Sequence, residues 1–261
     1  MDKDRLSRSG RVLAPSLLTI GNMACGFYSL LASHAGDFTA AGTCIVGGIV
    51  CDMLDGRIAR LLRGESPFGV ELDSLSDFLT FGIAPAYMMH AMLLKDYGVW
   101  GYLIAFAFAI CGSLRLARFN AVAQAGHGSK THFTGLPIPA AAGFLASFVL
   151  LYQIVEQDRP ARTFPLLMSQ IPLLATLGPL MVLTLSFLMV STIPYGAFKQ
   201  ANLLRPENRK LLAVVLLVLT LLYFYPQNAL FLLALLYVLS GPTGRILRSR
   251  RSPPAVPSVP S

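Results

Sequence analysis

An all-α membrane protein of about eight spanning helices, with both termini on the cytoplasmic side, is the fold this sequence predicts. Three observations carry that reading. Apolar residues make up 54% of the chain and charged residues only 13%, too few to cover a water-exposed surface. Mean hydropathy is +0.61, and apolar runs close to the ~20 residues that a spanning helix needs recur along the chain. The basic residues gather between those runs and favour one side of the membrane.

Spans are expected at 13–33, 38–62, 70–94, 98–121, 134–155, 170–191, 209–225 and 227–244. Residues 1–12 are polar and basic, with Leu6 and Val12 set among Lys3, Arg5, Arg8 and Arg11, which suits a short interfacial helix on the inner leaflet. The first apolar run is long enough to span and stay, so no cleaved signal peptide is expected. Pro137 and Pro139 break the first turn of the fifth helix and free backbone groups that only protein or water can satisfy. Tyr225-Pro226-Gln227-Asn228 is a tight turn that makes the last two spans a hairpin. The tail from Ser252 to Ser261 is rich in proline and serine, and 248–261 is expected to be disordered.

Alternating the spans from a cytoplasmic N-terminus places 18 of the 21 basic residues on the cytoplasmic side; only Lys95, Arg159 and Arg162 fall outside. Losing or adding one helix would destroy that bias. The net charge of +8 therefore reads as loops facing anionic headgroups. Nucleic acid is not an expected partner, because no basic stripe interleaved with aromatics and no zinc spacing is present. The four cysteines (Cys25, Cys44, Cys51, Cys111) lie inside apolar runs and are read as packing residues. His34 and His90 fall towards the outer face, while His127 and His132 sit in a glycine-rich loop, Ala125–Thr134, that suits a mobile flap.

Ionisable groups inside spanning helices are costly and call for a reason. Asp52 and Asp55 lie near the end of the second helix, Asp73 and Asp77 near the start of the third, so all four share one cytoplasmic depth. Spacings of three and four put each pair on one face of its helix. Two such faces opposed surround one cavity with four carboxylates, which repel unless cations neutralise them. Hard divalent cations fit an all-oxygen set, Mg2+ or Mn2+ better than zinc, since no Cys or His joins it. Paired ions of this kind serve in-line displacement at phosphorus. Gly56 and Ala59 let a nucleotide approach the backbone, Arg60 can hold a phosphate in bidentate fashion, and Gly69 again makes room. Taken singly, such acids are ordinarily surface charges and such small residues ordinarily packing. The set at one spacing is another matter.

Asp52-x2-Asp55-Gly56-x2-Ala59-Arg60-x8-Gly69-x3-Asp73-x3-Asp77 resembles, position for position, the signature of the CDP-alcohol phosphatidyltransferase family. The resemblance implies that the four aspartates bind two metals, that Asp77 is also the catalytic base, and that Gly56, Ala59, Arg60 and Gly69 help hold the CDP moiety. It further implies a six-helix core, usually dimeric. The chain then divides into a basic segment (1–12), the core (13–195), a loop and hairpin (196–247) and the tail (248–261).

The signature does not name the acceptor alcohol. PSLLTIGNMACGF from Pro15 to Phe27, SDFLTFGIAP from Ser76 to Pro85, SLRLARFN from Ser113 to Asn120 and FTGLPIPAAAG from Phe133 to Gly143 resemble the membrane-spanning (type II) class of bacterial phosphatidylserine synthases. That resemblance implies CDP-diacylglycerol and L-serine as substrates, in a bacterial inner membrane with the site facing the cytoplasm. Arg115 and Arg118 are then candidates for the serine carboxylate and a lipid phosphate, the alternative being a pair of positive-inside anchors. Asn120 and Thr134 are candidate serine contacts. Asn22 is either a nucleotide contact or an interhelical hydrogen-bonding group. Glycerol 3-phosphate is the competing acceptor. A divalent-cation transporter is the remote alternative, but no polar path continues from the acids to the outer face.

Overall fold

A computed structural model of the chain describes residues 3–62, 66–124, 132–156, 170, 173, 175–196 and 209–251. The helices are α1 (Lys3–His34), α2 (Phe38–Leu62), α3 (Pro67–Asp77), α4 (Ala84–Met89), α5 (Val99–Gln124), α6 (Ile138–Glu156), α7 (Gly178–Val190), α8 (Arg209–Phe224) and α9 (Pro226–Arg251). A π-helical stretch, Phe78–Ile83, joins α3 to α4; a second, His90–Leu94, and a 3-10 turn, Lys95–Tyr97, follow α4. The third predicted span is thus one helical rod whose winding loosens immediately after Asp77. Such wide turns recur at functional sites.

Among the described residues, four helices are long and apolar enough to cross a membrane: Phe38–Leu61, Phe68–Tyr97, Val99–Val122 and Ile138–Glu156. The protein is an integral membrane protein built of α-helices. The helices α1, α7, α8 and α9 overlap the other four expected spans, α7 only over its 13 residues. α6 lies at the centre, packed by α2 and α9. Its Leu145, Ala146, Phe148 and Val149 are fully buried, as befits a helix that is apolar all round. Phe81, Phe108 and Met88 extend that core. Large side chains on the outer faces of α5 and α7, among them Trp100, Tyr102, Phe106 and Phe187, are exposed as lipid-facing residues are.

Several expectations need correction. α1 is one helix of 32 residues, in which the expected interfacial segment runs on into the first span. The fifth helix starts at Ile138, not 134, and the chain is not wholly helical: β1 (His132–Thr134) pairs antiparallel with β2 (Pro194–Gly196). Proline at 137 and 139 bars an earlier helical start. The freed backbone groups find partners in the segment after α7, Gly135 N–H donating to the Ile193 carbonyl at 2.9 Å and Leu136 N–H to Leu188 at 3.0 Å. Gly135 adopts φ +83°, a left-handed conformation that favours glycine. α9 continues past 247 to Arg251. The flap at 125–131, most of the loop after β2 and the tail from Ser252 lie outside the described residues.

Candidate active site

Helix ends bring the four acids together. Asp52 and Asp55 stand on the last turns of α2, Asp73 and Asp77 on α3, whose start is fixed by Ser66 accepting from Gly69 N–H at 3.0 Å with Pro67 in the first turn. One carboxylate oxygen from each of Asp52, Asp55 and Asp73 lies within 4.8 Å of the others. Asp77 sits within hydrogen-bonding range of Asp52, and its charge faces Asp73 and Asp55 as well. The four carboxylates therefore converge on one space, with Asp55 buried and the others half-buried.

α1 supplies the donors behind them. Thr19 Oγ1 donates to Asp55 Oδ2 at 2.9 Å, and Asn22 Nδ2 donates to Asp77 Oδ1 at 3.2 Å. Ser76 and Thr80 tie the third rod back to α1 by donating to the Thr19 carbonyl at 3.0 Å and the Asn22 carbonyl at 2.9 Å. Gly26 and Gly48 allow the close approach. A Cβ at Gly26 would lie 2.8 Å from the Thr80 Cα, and one at Gly48 only 2.6 Å from Thr80 Cγ2.

The donor set suits a hard divalent cation. Every ligand candidate is a carboxylate oxygen. Asp73 Oδ1 is buried with no hydrogen-bond partner, an arrangement that is costly unless something positive meets it. Residues of this cluster fit a metal centre.

Of the nucleotide candidates, Gly56 is exposed, and a side chain there would meet open space within 4 Å. Helix packing thus does not explain that glycine, and a ligand can approach its backbone. Arg60 Nε donates to the Gly56 carbonyl at 2.8 Å, so the guanidinium stem lies over the same face. Ala59 is half-buried beside them on α2. Gly69 serves the α3 cap, where a Cβ would stand 3.1 Å from Ser66 Oγ.

The acceptor candidates separate. Arg115 is 8% exposed, its Nε has no hydrogen-bond partner, and Asp77, Arg118 and Tyr237 are its charged or polar neighbours. Arg118 instead donates to the end of α7, to the carbonyls of Val190 at 3.0 Å and of Met189 and Ser191 at 3.4 Å. That is a C-terminal helix cap. Asn120 Nδ2 donates to Ser74 Oγ at 2.9 Å, joining α5 to α3 next to Asp73. Thr134 pairs through its backbone with Pro194 in the ribbon.

Sequence reasoning missed Thr19, Ser76, Thr80, Tyr195 and Tyr237. A signal for the first was available: Thr19, Asn22, Gly26, Ser29 and Ser33 recur at three- and four-residue steps and are all buried. A small polar stripe on one helix face marks a close helix contact. For Tyr195 and Tyr237 no local pattern exists. Tyr195 is fully buried, packs against Tyr237 with tilted rings at 5.7 Å between centroids, and donates to the Val238 carbonyl at 3.1 Å. Burial and the neighbouring Tyr237 push its phenol up to about 12, so it remains a neutral donor.

A family model described as CDP-alcohol phosphatidyltransferase matches residues 12–175. The chain is 34% identical over 232 residues to a CDP-diacylglycerol–serine O-phosphatidyltransferase of Helicobacter pylori, covering 88% of this chain and 89% of that protein. It is 33% identical over 186 residues to the protein of the same description from Bacillus subtilis, 71% of this chain and 91% of that one. An archaetidylserine synthase of Methanothermobacter thermautotrophicus is 37% identical over 144 residues, 53% and 58% of the two chains.

Proposed function

The chain belongs to the CDP-alcohol phosphatidyltransferase family, and on that premise we propose that it transfers a phosphatidyl group from CDP-diacylglycerol to L-serine with release of CMP. The observation that carries the reading is the convergence of Asp52, Asp55 and Asp73 within 4.8 Å, with Asp77 against them. The serine acceptor is supported by the relatives' descriptions, which pair CDP-diacylglycerol with serine.

Asp52, Asp55, Asp73 and Asp77 would hold two divalent cations, Mg2+ or Mn2+, which when bound neutralise the pyrophosphate and polarise the phosphorus. Gly56, Ala59, Arg60 and Gly69 line the path of the CDP moiety along α2 and α3. Asn22 reaches the nucleotide side only through Asp77, whose carboxylate it orients. Asp77 takes the proton of the serine hydroxyl as that oxygen attacks the phosphorus bearing diacylglycerol, and the bond to CMP breaks. Arg115 receives the serine carboxylate. It is buried and carries a donor without a partner, whereas Arg118 is engaged with the end of α7 and positions that helix. Asn120 and Thr134 border the acceptor side.

The site faces the cytoplasm in this reading, supported by the basic residues on that side, and the lipid tail of the donor enters from the bilayer. A bacterial inner membrane, a homodimer and the division into a six-helix core at 13–195 with an added hairpin belong to the same proposal.

A CMP-release assay on purified protein with CDP-diacylglycerol tests it. L-serine is expected to drive release and yield phosphatidylserine. Release with glycerol 3-phosphate or inositol but not with serine would replace the acceptor.

A further inference from the structure

We propose that Asn120, near the end of α5, is a positioning residue for the metal centre: it grips Ser74 and so sets the rotation of α3 that turns Asp73 towards Asp52 and Asp55. This rests on the reading of the four acids as a cation site. It gives Asn120 a role on the metal side, distinct from contact with the acceptor.

Two of the acids are aimed by a donor on α1, Asp55 by Thr19 and Asp77 by Asn22. Asp73 lacks that help. Its Oδ1 is buried with no hydrogen-bond partner, so the backbone of α3 must carry the carboxylate to within 4.8 Å of those of Asp52 and Asp55. The rotation of α3 about its axis decides whether it does. Successive helical residues stand about 100° apart, which puts Asp73 and Asp77 on one face with Ser76 on one flank of it and Ser74 on the other. Each flank is tied to a different neighbour. Ser76 Oγ donates to the Thr19 carbonyl of α1 at 3.0 Å, and Ser74 Oγ accepts from Asn120 Nδ2 of α5 at 2.9 Å. One tie leaves the helix free to roll about it; two on opposite flanks stop the roll.

The bond to Asn120 has a fixed direction. Ser74 Oγ donates its one proton to the Val70 carbonyl at 3.0 Å, so its oxygen can only accept, and the amide NH2 of Asn120 is the group that satisfies it. The helix that presents Asn120 is itself held. Two residues earlier, Arg118 donates to the Val190 carbonyl at the end of α7 at 3.0 Å. Two turns earlier, Gly112 lets α5 lie against its neighbours: a Cβ there would stand 2.6 Å from Ile138 Cδ1 and 3.8 Å from the Gly82 Cα of the third rod. Asn120 therefore reaches α3 from a fixed point. Without it, α3 would keep its tie to α1 and lose the one that aims Asp73.

The test uses the full-length protein in lipid-detergent micelles. Mg2+ is titrated into chelator-stripped samples, and the midpoint of the rise in Tm is read beside the midpoint of activation; the first readout needs no acceptor. Asn120→Ala is expected to raise both midpoints about ten-fold, the loss typical of removing a group that orients a metal ligand. At saturating Mg2+ its kcat and acceptor KM should stay within about two-fold of wild type. Ser74→Ala should give the same shift, and the double variant little more than either, because both break one bond. Ser74→Thr, which keeps the hydroxyl, should retain the wild-type midpoints. Ser240→Ala, an exposed hydroxyl bonded only within α9, should leave every value unchanged. Should Asn120→Ala not fold, the contrast between Ser74→Ala and Ser74→Thr decides the matter. Wild-type Mg2+ midpoints in Asn120→Ala or Ser74→Ala, a raised acceptor KM as the sole defect, or shifts that multiply in the double variant would overturn the proposal. A wild-type Tm that ignores both Mg2+ and Mn2+ would instead remove the metal centre itself, and this role with it. Consumption of an alcohol other than serine would replace the acceptor alone.

Discussion

Asp77 and Asp55 illustrate how single side chains are prepared here. Each carboxylate accepts one hydrogen bond from α1, at 3.2 Å from Asn22 and at 2.9 Å from Thr19, and each faces like charges on its other side. One donor sets the rotamer and leaves the remaining lone pairs to a cation or a proton. Asp77→Asn retains that shape but cannot take a proton, so turnover should fall at least ~100-fold. Binding of the CDP-lipid, followed with a labelled nucleotide, should persist; wild-type turnover in this variant would remove Asp77 from the role of base. Thr19→Val deletes the donor to Asp55. The expected result is a loss of about ten-fold in apparent Mg2+ affinity, read by titrating activity with the ion, at nearly unchanged kcat under saturating metal.

Among the elements, the contact between α1, α2 and the third rod depends on two glycines that meet Thr80. Gly26→Val or Gly48→Val would overpack this junction and should cost about 1–3 kcal/mol, visible as a lower Tm. Gly56→Val makes the informative contrast. Its side chain meets open space, so Tm should hardly move, whereas the KM for CDP-diacylglycerol should rise. A Gly56→Val protein with normal kinetics would take that face of α2 away from the nucleotide. The π-helical stretch after Asp77 belongs to the same scale. It shifts the register of the rod between the acids and the buried Phe81 and Met88, so that Thr80 meets α1 while Asp73 and Asp77 still face α2.

For the molecule as a whole, four carboxylates in one partly buried space oppose folding through their mutual repulsion. A cation that binds only the folded state offsets this, and at about 100 times its Kd contributes roughly 3 kcal/mol. Chelation should therefore lower Tm as well as abolish activity, and Mg2+ or Mn2+ should restore both. Asp73→Asn should blunt the Tm response to metal; an undiminished response would remove Asp73 from the ligand set.

The fold class and the acidic cluster were legible because both rest on local periodicity. Apolar run length reports the solvent, and three- and four-residue steps put Asp52 with Asp55 and Asp73 with Asp77 on shared helix faces whatever the tertiary arrangement. The start of the fifth helix was misjudged because Gly135 and Leu136 satisfy their N–H groups on residues more than fifty positions away. Arg115 and Arg118 look equivalent in sequence, three apart on one helix. Only packing made one a buried group with an unpartnered donor and the other a cap on α7. Tyr195 and Tyr237 carry no local signal at all, since their meeting depends on where the ribbon and the last helix come to rest. Sequence alone thus determined the solvent and which acids share a helix face, because helix geometry is short-ranged. Tertiary structure decided which arginine is buried with an unpartnered donor and which caps α7, because a side chain's burial and partners are set by residues distant in the chain.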